Sequence, residues 1–170
     1  FDVSVWELFW WGLVGAKVAF LVPDGENDPS VLVVAIEKYR VTTMHFVPSM
    51  LNAFLEHILD MTDLSSLETL RQVFASGEAL MKNQVDIFLN TLSEANGTRL
   101  HNLYGPTEAT VDVTYYDCNK DRDQRIIPIG RPIDNMQIHI VDKNNNLQPI
   151  GVPGELCITG IGLARGYIKR

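Results

Sequence analysis

Hydrophobic positions along the chain fall into two textures, and the change comes just after Ala109. Before it, apolar residues recur at helical spacing in some stretches and run together in others. Ser4 to Gly12 carries Trp, Leu and Phe at helical spacing, and Lys17 to Val22 reads as a buried strand. Pro23 to Asn27 is a loop. Asp28 caps and Pro29 opens a helix through Val31, Val34, Ala35 and Lys38. Val41 to Val47 predicts a strand, and Pro48-Ser49 opens a helix through Leu51, Phe54, Leu55 and Ile58. Thr69 to Ala75 is a further strand. Ser76-Gly77-Glu78 then leads into a helix from about Ala79 to Leu92, and Thr98-Arg99-Leu100 is strand-like. Strands alternating with helices at this spacing predict βαβ units, hence an α/β fold with a mostly parallel sheet.

Beyond Ala109 the segments shorten. Val111 to Tyr116, Ile126 to Ile129, Met136 to Asp142 and Glu155 to Thr159 read as short strands between Gly, Pro and Asn turns. The chain therefore divides into an α/β part, residues 1–115, and a β-rich part, residues 116–170, of antiparallel or barrel-like character. There is no internal repeat and no low-complexity segment.

Composition narrows the function classes. At 170 residues with 46% hydrophobic content, the chain is long enough to bury a sizeable core. Fourteen basic and 21 acidic residues give a net charge of −7, with no basic stripe, which argues against a nucleic-acid partner. No apolar run reaches membrane-spanning length and no basic-then-apolar leader opens the chain, so the expected setting is the cytoplasm, away from a membrane. Cys118 and Cys157 lack metal-ligand spacing and read as thiols. Asn96-Gly97-Thr98 matches a glycosylation pattern but reads as a turn. The chain starts at Phe1 inside a helix-like stretch and stops after a Gly-rich strand, so it is expected to be part of a longer polypeptide.

The densest chemistry lies in His101-Asn102-Leu103-Tyr104-Gly105-Pro106-Thr107-Glu108. A ring, an amide, a hydroxyl and a carboxylate surround one Gly-Pro turn. In open α/β sheets such turns fall at the carboxyl ends of strands, where ligands bind. Tyr104 offers a face to a purine, and Asn102 can both donate to and accept from an adenine edge. Thr107 can bond a phosphate oxygen, and Glu108 is a hard oxygen ligand for Mg²⁺. Taken alone, the run reads equally well as an ordinary turn entering a helix.

Three motifs in fixed order weigh against that plainer reading: Phe1-Asp2-Val3-Ser4-Val5-Trp6-Glu7, then Asn102 to Glu108, then Gly154 to Tyr167. With Ser76-Gly77-Glu78-Ala79-Leu80 and Ile129-Gly130-Arg131-Pro132-Ile133, they make the chain resemble the adenylation domain of nonribosomal peptide synthetases, within the adenylate-forming superfamily. The resemblance implies a portion of the large N-terminal subdomain of such an enzyme. It also implies ATP-dependent activation of an amino-acid carboxylate to an aminoacyl adenylate plus pyrophosphate. The aminoacyl group would then pass to the phosphopantetheine thiol of a carrier domain, with condensation domains as further partners. By carry-over, Asn102 and Tyr104 contact adenine, Thr107 the phosphate and Glu108 the Mg²⁺, while Gly77, Glu78 and Gly105 border the nucleotide. The family's Gly-rich phosphate loop, its ribose-binding aspartate and its C-terminal subdomain with a catalytic lysine have no counterpart within these residues. The segment alone is therefore expected to be inactive.

The same resemblance maps an amino-acid pocket onto Asp2, Val3, Trp6, His45, Phe74, Ser76, Leu103, Val111 and Asp112. Spacing is compatible with one site: Asp2 and Trp6 share a helix face, and Phe74 and Ser76 share a strand face. Asp2 would hold the substrate's α-ammonium. Trp6, Phe74, Leu103 and Val111 take up volume, while His45, Ser76 and Asp112 supply polar atoms. A buried Asp112 needs a partner, which His45 or a ligand hydroxyl would supply. A small side chain with one hydroxyl meets both constraints, so L-serine is the expected substrate. The pocket string is also similar to that of serine-loading modules in siderophore synthetases. The competing readings are a D-alanine–carrier ligase, an acyl-CoA ligase, and a non-catalytic synthetase remnant.

Overall fold

The computed structural model describes residues 2–119 and 124–169. Its helices and strands are α1 (Ser4–Leu13), α2 (Pro29–Tyr39), β1 (Thr43–Phe46), α3 (Pro48–Leu59), β2 (Gln72–Ala75), α4 (Lys82–Phe88), β3 (Arg99–Tyr104), β4 (Thr114–Asp117), β5 (Arg131–Pro132), β6 (Met136–Val141) and β7 (Glu155–Gly160). A π-helical turn, Leu89–Ser93, and a last helical turn, Glu94–Asn96, continue α4. β1 to β5 form one sheet in chain order, and β6 pairs with β7 in a second. β1, β2 and β3 run parallel, whereas β4 and β5 add antiparallel. The α/β fold with a small antiparallel sheet agrees with the sequence expectation.

Local sequence explains most of these elements. In α3, Pro48 occupies the first turn, where its missing N–H has no intrahelical partner to lose. Leu51, Phe54, Leu55 and Ile58 repeat at helical spacing and are all buried against the sheet. Each such side chain contributes roughly 1.5–3 kcal/mol. Asp28 caps α2 by accepting bonds from the Ser30 N–H at 2.9 Å and the Ser30 hydroxyl at 2.7 Å. Those bonds hold the Asp28 carboxyl below the usual carboxylate range. The face that α2 buries is Leu32 and Ile36, with Val34 left in solvent.

Strand parity sorts the two sheet faces. In register, His45 lies beside Phe74 and Phe74 beside His101, while Phe46 lies beside Ala75 and Ala75 beside Asn102. Val73, Ala75 and Leu100 point to the helical core, together with Phe54, Phe88 and Leu92. His45, Phe74 and His101 therefore point to the other face, where α1 lies.

Three expectations need correction. Lys17 to Val22 forms no strand; Phe20 and Val22 are exposed. The sheet begins at β1, so this apolar run has no neighbouring strand to satisfy its backbone. Ile126 to Ile129 is not a strand either. Pro128 cannot donate to a ladder, and side chains take its neighbours' acceptors instead: Asn102 Nδ2 donates to the Pro128 carbonyl and the Thr114 hydroxyl to that of Ile129. Finally, the helix expected from Ala79 begins at Lys82, where Gln84 reaches back to accept from the Met81 N–H at 2.9 Å.

Both cysteines are free thiols, Cys118 buried and Cys157 half-buried. Burial pushes the Cys118 thiol up to about 12, so it carries no thiolate character at neutral pH. Among the described residues, no helix is long and apolar enough to cross a membrane.

Candidate functional site

The carboxyl ends of β1, β2 and β3 build the site. His45 comes from β1, Phe74 from β2 with Ser76 just beyond it, and Leu103 and Tyr104 close β3. The strand-like stretch expected to end at Leu100 runs on through Tyr104, so half of the Asn102-to-Glu108 motif is strand. α1 lies over these strand ends. Trp6 meets His45 edge-on at 5.5 Å between ring centroids and Phe74 at 5.6 Å. Phe74 stacks on His101 at 5.1 Å, and Trp10 adds a second edge contact to Phe74 at 6.2 Å.

Within this aromatic wall sits a polar line. His45 Nε2 is 2.9 Å from the Ser76 hydroxyl, and His45 Nδ1 is 3.4 Å from a Glu7 carboxylate oxygen. Ser76 is 1% exposed, and the His45 side chain 5%. Nε2 is thus hydrogen-bonded and Nδ1 faces the Glu7 carboxylate, and among the described residues His45 makes no hydrogen bond to Asp112. Among the described residues no donor bonds the Asp112 carboxylate. Burial is the main cause that lifts its pKa from 3.8 to about 6; nearby His45 opposes the rise and nearby Asp2 adds to it. The same charges place Asp2, His45 and Asp112 in one neighbourhood. Trp6 adds a second unmet group, a buried indole N–H without an acceptor among the described residues.

Asp2 is in the turn before α1 rather than on the helix itself. Its carboxylate accepts the Val3 N–H at 3.1 Å and its carbonyl accepts the Val5 N–H at 3.0 Å. Val3 is buried at the helix start. Val111 lies on a turn where Thr110 and Val111 both have positive φ, 61° and 72°. Two β-branched residues in that region are strained, and strain of this kind persists only where surroundings hold it. Here the Thr110 hydroxyl donates to the Gly162 carbonyl at 2.6 Å, and the Val113 N–H reaches the Tyr104 carbonyl at 2.8 Å. Gly105 lets the turn come close: a Cβ there would stand 2.3 Å from the Val111 carbonyl oxygen.

A cleft of about 570 Å³ opens at the carboxyl end of β3. Gly77, Glu78, Asn102, Leu103, Tyr104 and Gly105 line it together with Arg125 and Ile126. Gly77 has φ +88°, so its backbone rather than crowding makes glycine the fitting residue. Glu78 accepts from the Ser49 N–H at 2.9 Å and the Ser49 hydroxyl at 3.1 Å, tying the loop to the N-terminal turn of α3. Leu103 lines this cleft from the end of β3.

Thr107 and Glu108 form the 3₁₀ turn Thr107–Ala109 and are exposed. Glu108 accepts a bond from the Tyr167 hydroxyl at 3.0 Å, and the Ala164 N–H reaches the Glu108 carbonyl at 2.7 Å. One carboxylate beside a nucleotide cleft suits Mg²⁺, which takes one or two carboxylates and completes its shell with phosphates and water. No group of three or more metal-ligating side chains occurs among the described residues. Sequence reasoning passed over Glu7, Trp10, Tyr167 and Arg125. For Trp10, the helical spacing from Trp6 was the available signal.

A cleft and a buried polar cluster thus meet at the carboxyl end of β3. The chain belongs to the AMP-binding enzyme family, whose model matches residues 1–168. It is 55% identical over its whole length to zwittermicin A synthase ZmaJ of Bacillus cereus, and 43% identical to tyrocidine synthase 3 of Brevibacillus parabrevis. It spans 33% of the first relative and 2% of the second. Among solved structures it is similar to the nonribosomal peptide synthetase FmoA3 with α-methyl-L-serine-AMP bound, at TM-score 0.88 and 29% identity, over 98% of this chain and 19% of that one. PA1221, a synthetase protein with adenylation and PCP domains, matches at TM-score 0.68 and 28% identity over 83% of this chain and 28% of that one. The chain thus corresponds to a portion of a nonribosomal peptide synthetase adenylation domain.

Proposed function

We propose that this sequence supplies the amino-acid pocket and much of the nucleotide cleft of a ligase that activates L-serine. ATP and serine give seryl-AMP and pyrophosphate, and the seryl group then passes to the phosphopantetheine thiol of a carrier domain. The observation that carries the reading is the grouping of Asp2, His45, Ser76 and Asp112 beside Trp6 and Phe74. Asp2 holds the α-ammonium, which orients the substrate carboxylate toward the α-phosphate. A carboxylate oxygen bonds phosphorus as the bond to pyrophosphate breaks. Tyr104 covers the adenine, Thr107 bonds a phosphate oxygen, and Glu108 holds Mg²⁺. When bound, Mg²⁺ held there would supply charge neutralisation at the phosphates.

Serine meets the unmatched groups of the pocket. Its hydroxyl gives Asp112 a donor, and its small volume suits a pocket walled by the touching rings of Trp6 and Phe74. The relative FmoA3 was solved with the adenylate of a serine derivative, and PA1221 carries a PCP domain beside its adenylation domain, which supports both the substrate and the carrier. The retained Asp2 disfavours an acyl-CoA ligase, whose substrate has no ammonium. The polar floor disfavours a D-alanine–carrier ligase.

Amino-acid-dependent ATP–pyrophosphate exchange tests the reading, in the complete adenylation domain that carries this sequence. Serine should give the highest rate with threonine next, since one methyl is worth only about 1–3 kcal/mol of rejection. Alanine outpacing serine would overturn it.

A further inference from the structure

We infer that Glu7 is a positioning residue: it holds His45 with its proton on Nδ1 and so fixes the direction of the Ser76 hydroxyl. The inference rests on the serine reading above and deepens it.

His45 has two different neighbours, Glu7 Oε1 at 3.4 Å from Nδ1 and Ser76 Oγ at 2.9 Å from Nε2. A neutral imidazole has one N–H and one bare nitrogen, and the environment chooses between them. The Glu7 carboxylate makes an ion-pair contact with Nδ1 rather than a short hydrogen bond, and its negative charge favours the proton on the nitrogen that faces it. Nε2 is then bare and takes the Ser76 hydroxyl hydrogen. Glu7 follows Trp6 directly on α1, and Trp6 packs edge-on against the same ring. One helix therefore sets both the plane of the imidazole and its tautomer.

The consequence reaches the substrate. With its hydrogen committed to His45, Ser76 presents only lone pairs to the pocket. Asp112 presents only acceptors as well once it ionises, above about 6. A floor of acceptors seeks a donor. The serine hydroxyl supplies one and alanine supplies none, which leaves the floor unmatched.

The test uses the complete adenylation domain, wild type, E7A and E7Q. The Glu7 side chain is 47% exposed, so neither change empties the core. Nitrogen-15 NMR of the neutral imidazole should find the proton on Nδ1 in the wild type, and shifted toward Nε2–H in E7A. In E7A, kcat/KM for serine should fall about tenfold, chiefly through KM, while that for alanine moves less than about twofold, the scale of one hydrogen bond. E7Q keeps an acceptor oxygen and should recover serine kcat/KM to within about threefold of wild type. Equal losses for serine and alanine, no loss for either, no recovery in E7Q, or a neutral His45 with its proton on Nε2 in the wild type would each overturn the role of Glu7. A wild type that does not prefer serine to alanine defeats the substrate reading as well. A serine-preferring enzyme indifferent to E7A defeats the Glu7 role alone.

Discussion

The Ser76 hydroxyl lies 2.9 Å from His45 Nε2 although 31 residues separate them in the chain. Parallel pairing of β1 with β2 makes them neighbours: His45 registers with Phe74, and the Ser76 N–H continues the ladder to the Phe46 carbonyl. Both side chains are buried, so the bond is protected from water. Ser76→Ala removes one member and leaves His45 Nε2 unmatched. Serine-dependent exchange should fall at least about tenfold while alanine-dependent exchange falls less, because sites built around a hydroxyl discriminate by hydrogen bonding. Exchange rates for the two amino acids, measured side by side, check this.

Asp112 makes the ligand-free protein pH-sensitive. Its pKa is raised from 3.8 to about 6, chiefly by burial, so the folded state holds the proton more tightly than the unfolded chain. The stability this contributes is complete below 3.8 and is lost as pH rises through about 6. Asp112→Asn should therefore stabilise the ligand-free domain near neutral pH by an amount on the order of 1–3 kcal/mol. It should also flatten the pH dependence of unfolding across that window. Chemical denaturation at a series of pH values reads both effects, and loss of serine activation should accompany the gain.

Tyr167 reaches back across the chain to Glu108 at 3.0 Å. Groups that bond a metal-binding carboxylate orient it, and removing them typically weakens metal affinity by about 10–100-fold. Tyr167→Phe should raise the Mg²⁺ concentration needed for half-maximal exchange by about tenfold, while leaving the KM for serine nearly unchanged. A magnesium titration at saturating serine and ATP checks it.

Gly105 is held to glycine by the Val111 carbonyl, 2.3 Å from where a Cβ would stand. Gly105→Ala must push back the strained turn that carries Val111 and Asp112. Activity should collapse for every amino acid, with a stability loss of roughly 1–3 kcal/mol, the scale of overpacking. The contrast with Ser76→Ala, which is selective, separates a scaffold fault from a recognition fault.

The core of the fold was legible where one periodicity decided it. Leu51, Phe54, Leu55 and Ile58 declare the buried face of α3, and all four are buried. Lys17 to Val22 misled because a strand depends on a partner the local pattern does not reveal. The mapped pocket residues came from motif order, and strand register explains why His45 and Phe74 share a face. Glu7 was hidden because only the placement of α1 over β1 brings it to His45. The turn at Thr110 and Val111 was equally hidden, since β-branched residues seldom adopt positive φ and the bonds that hold them there, to the Gly162 and Tyr104 carbonyls, are tertiary.

The central claim is one of position, and a crystal structure of the complete adenylation domain with a non-hydrolysable seryl-adenylate analogue tests it most directly. The account predicts the α-ammonium on the Asp2 carboxylate, the side-chain hydroxyl within hydrogen-bond distance of Asp112 or Ser76, and the adenine against Tyr104. A ligand whose side chain points away from His45, Ser76 and Asp112, or whose adenine lies outside the cleft bounded by Gly77 and Tyr104, would contradict it.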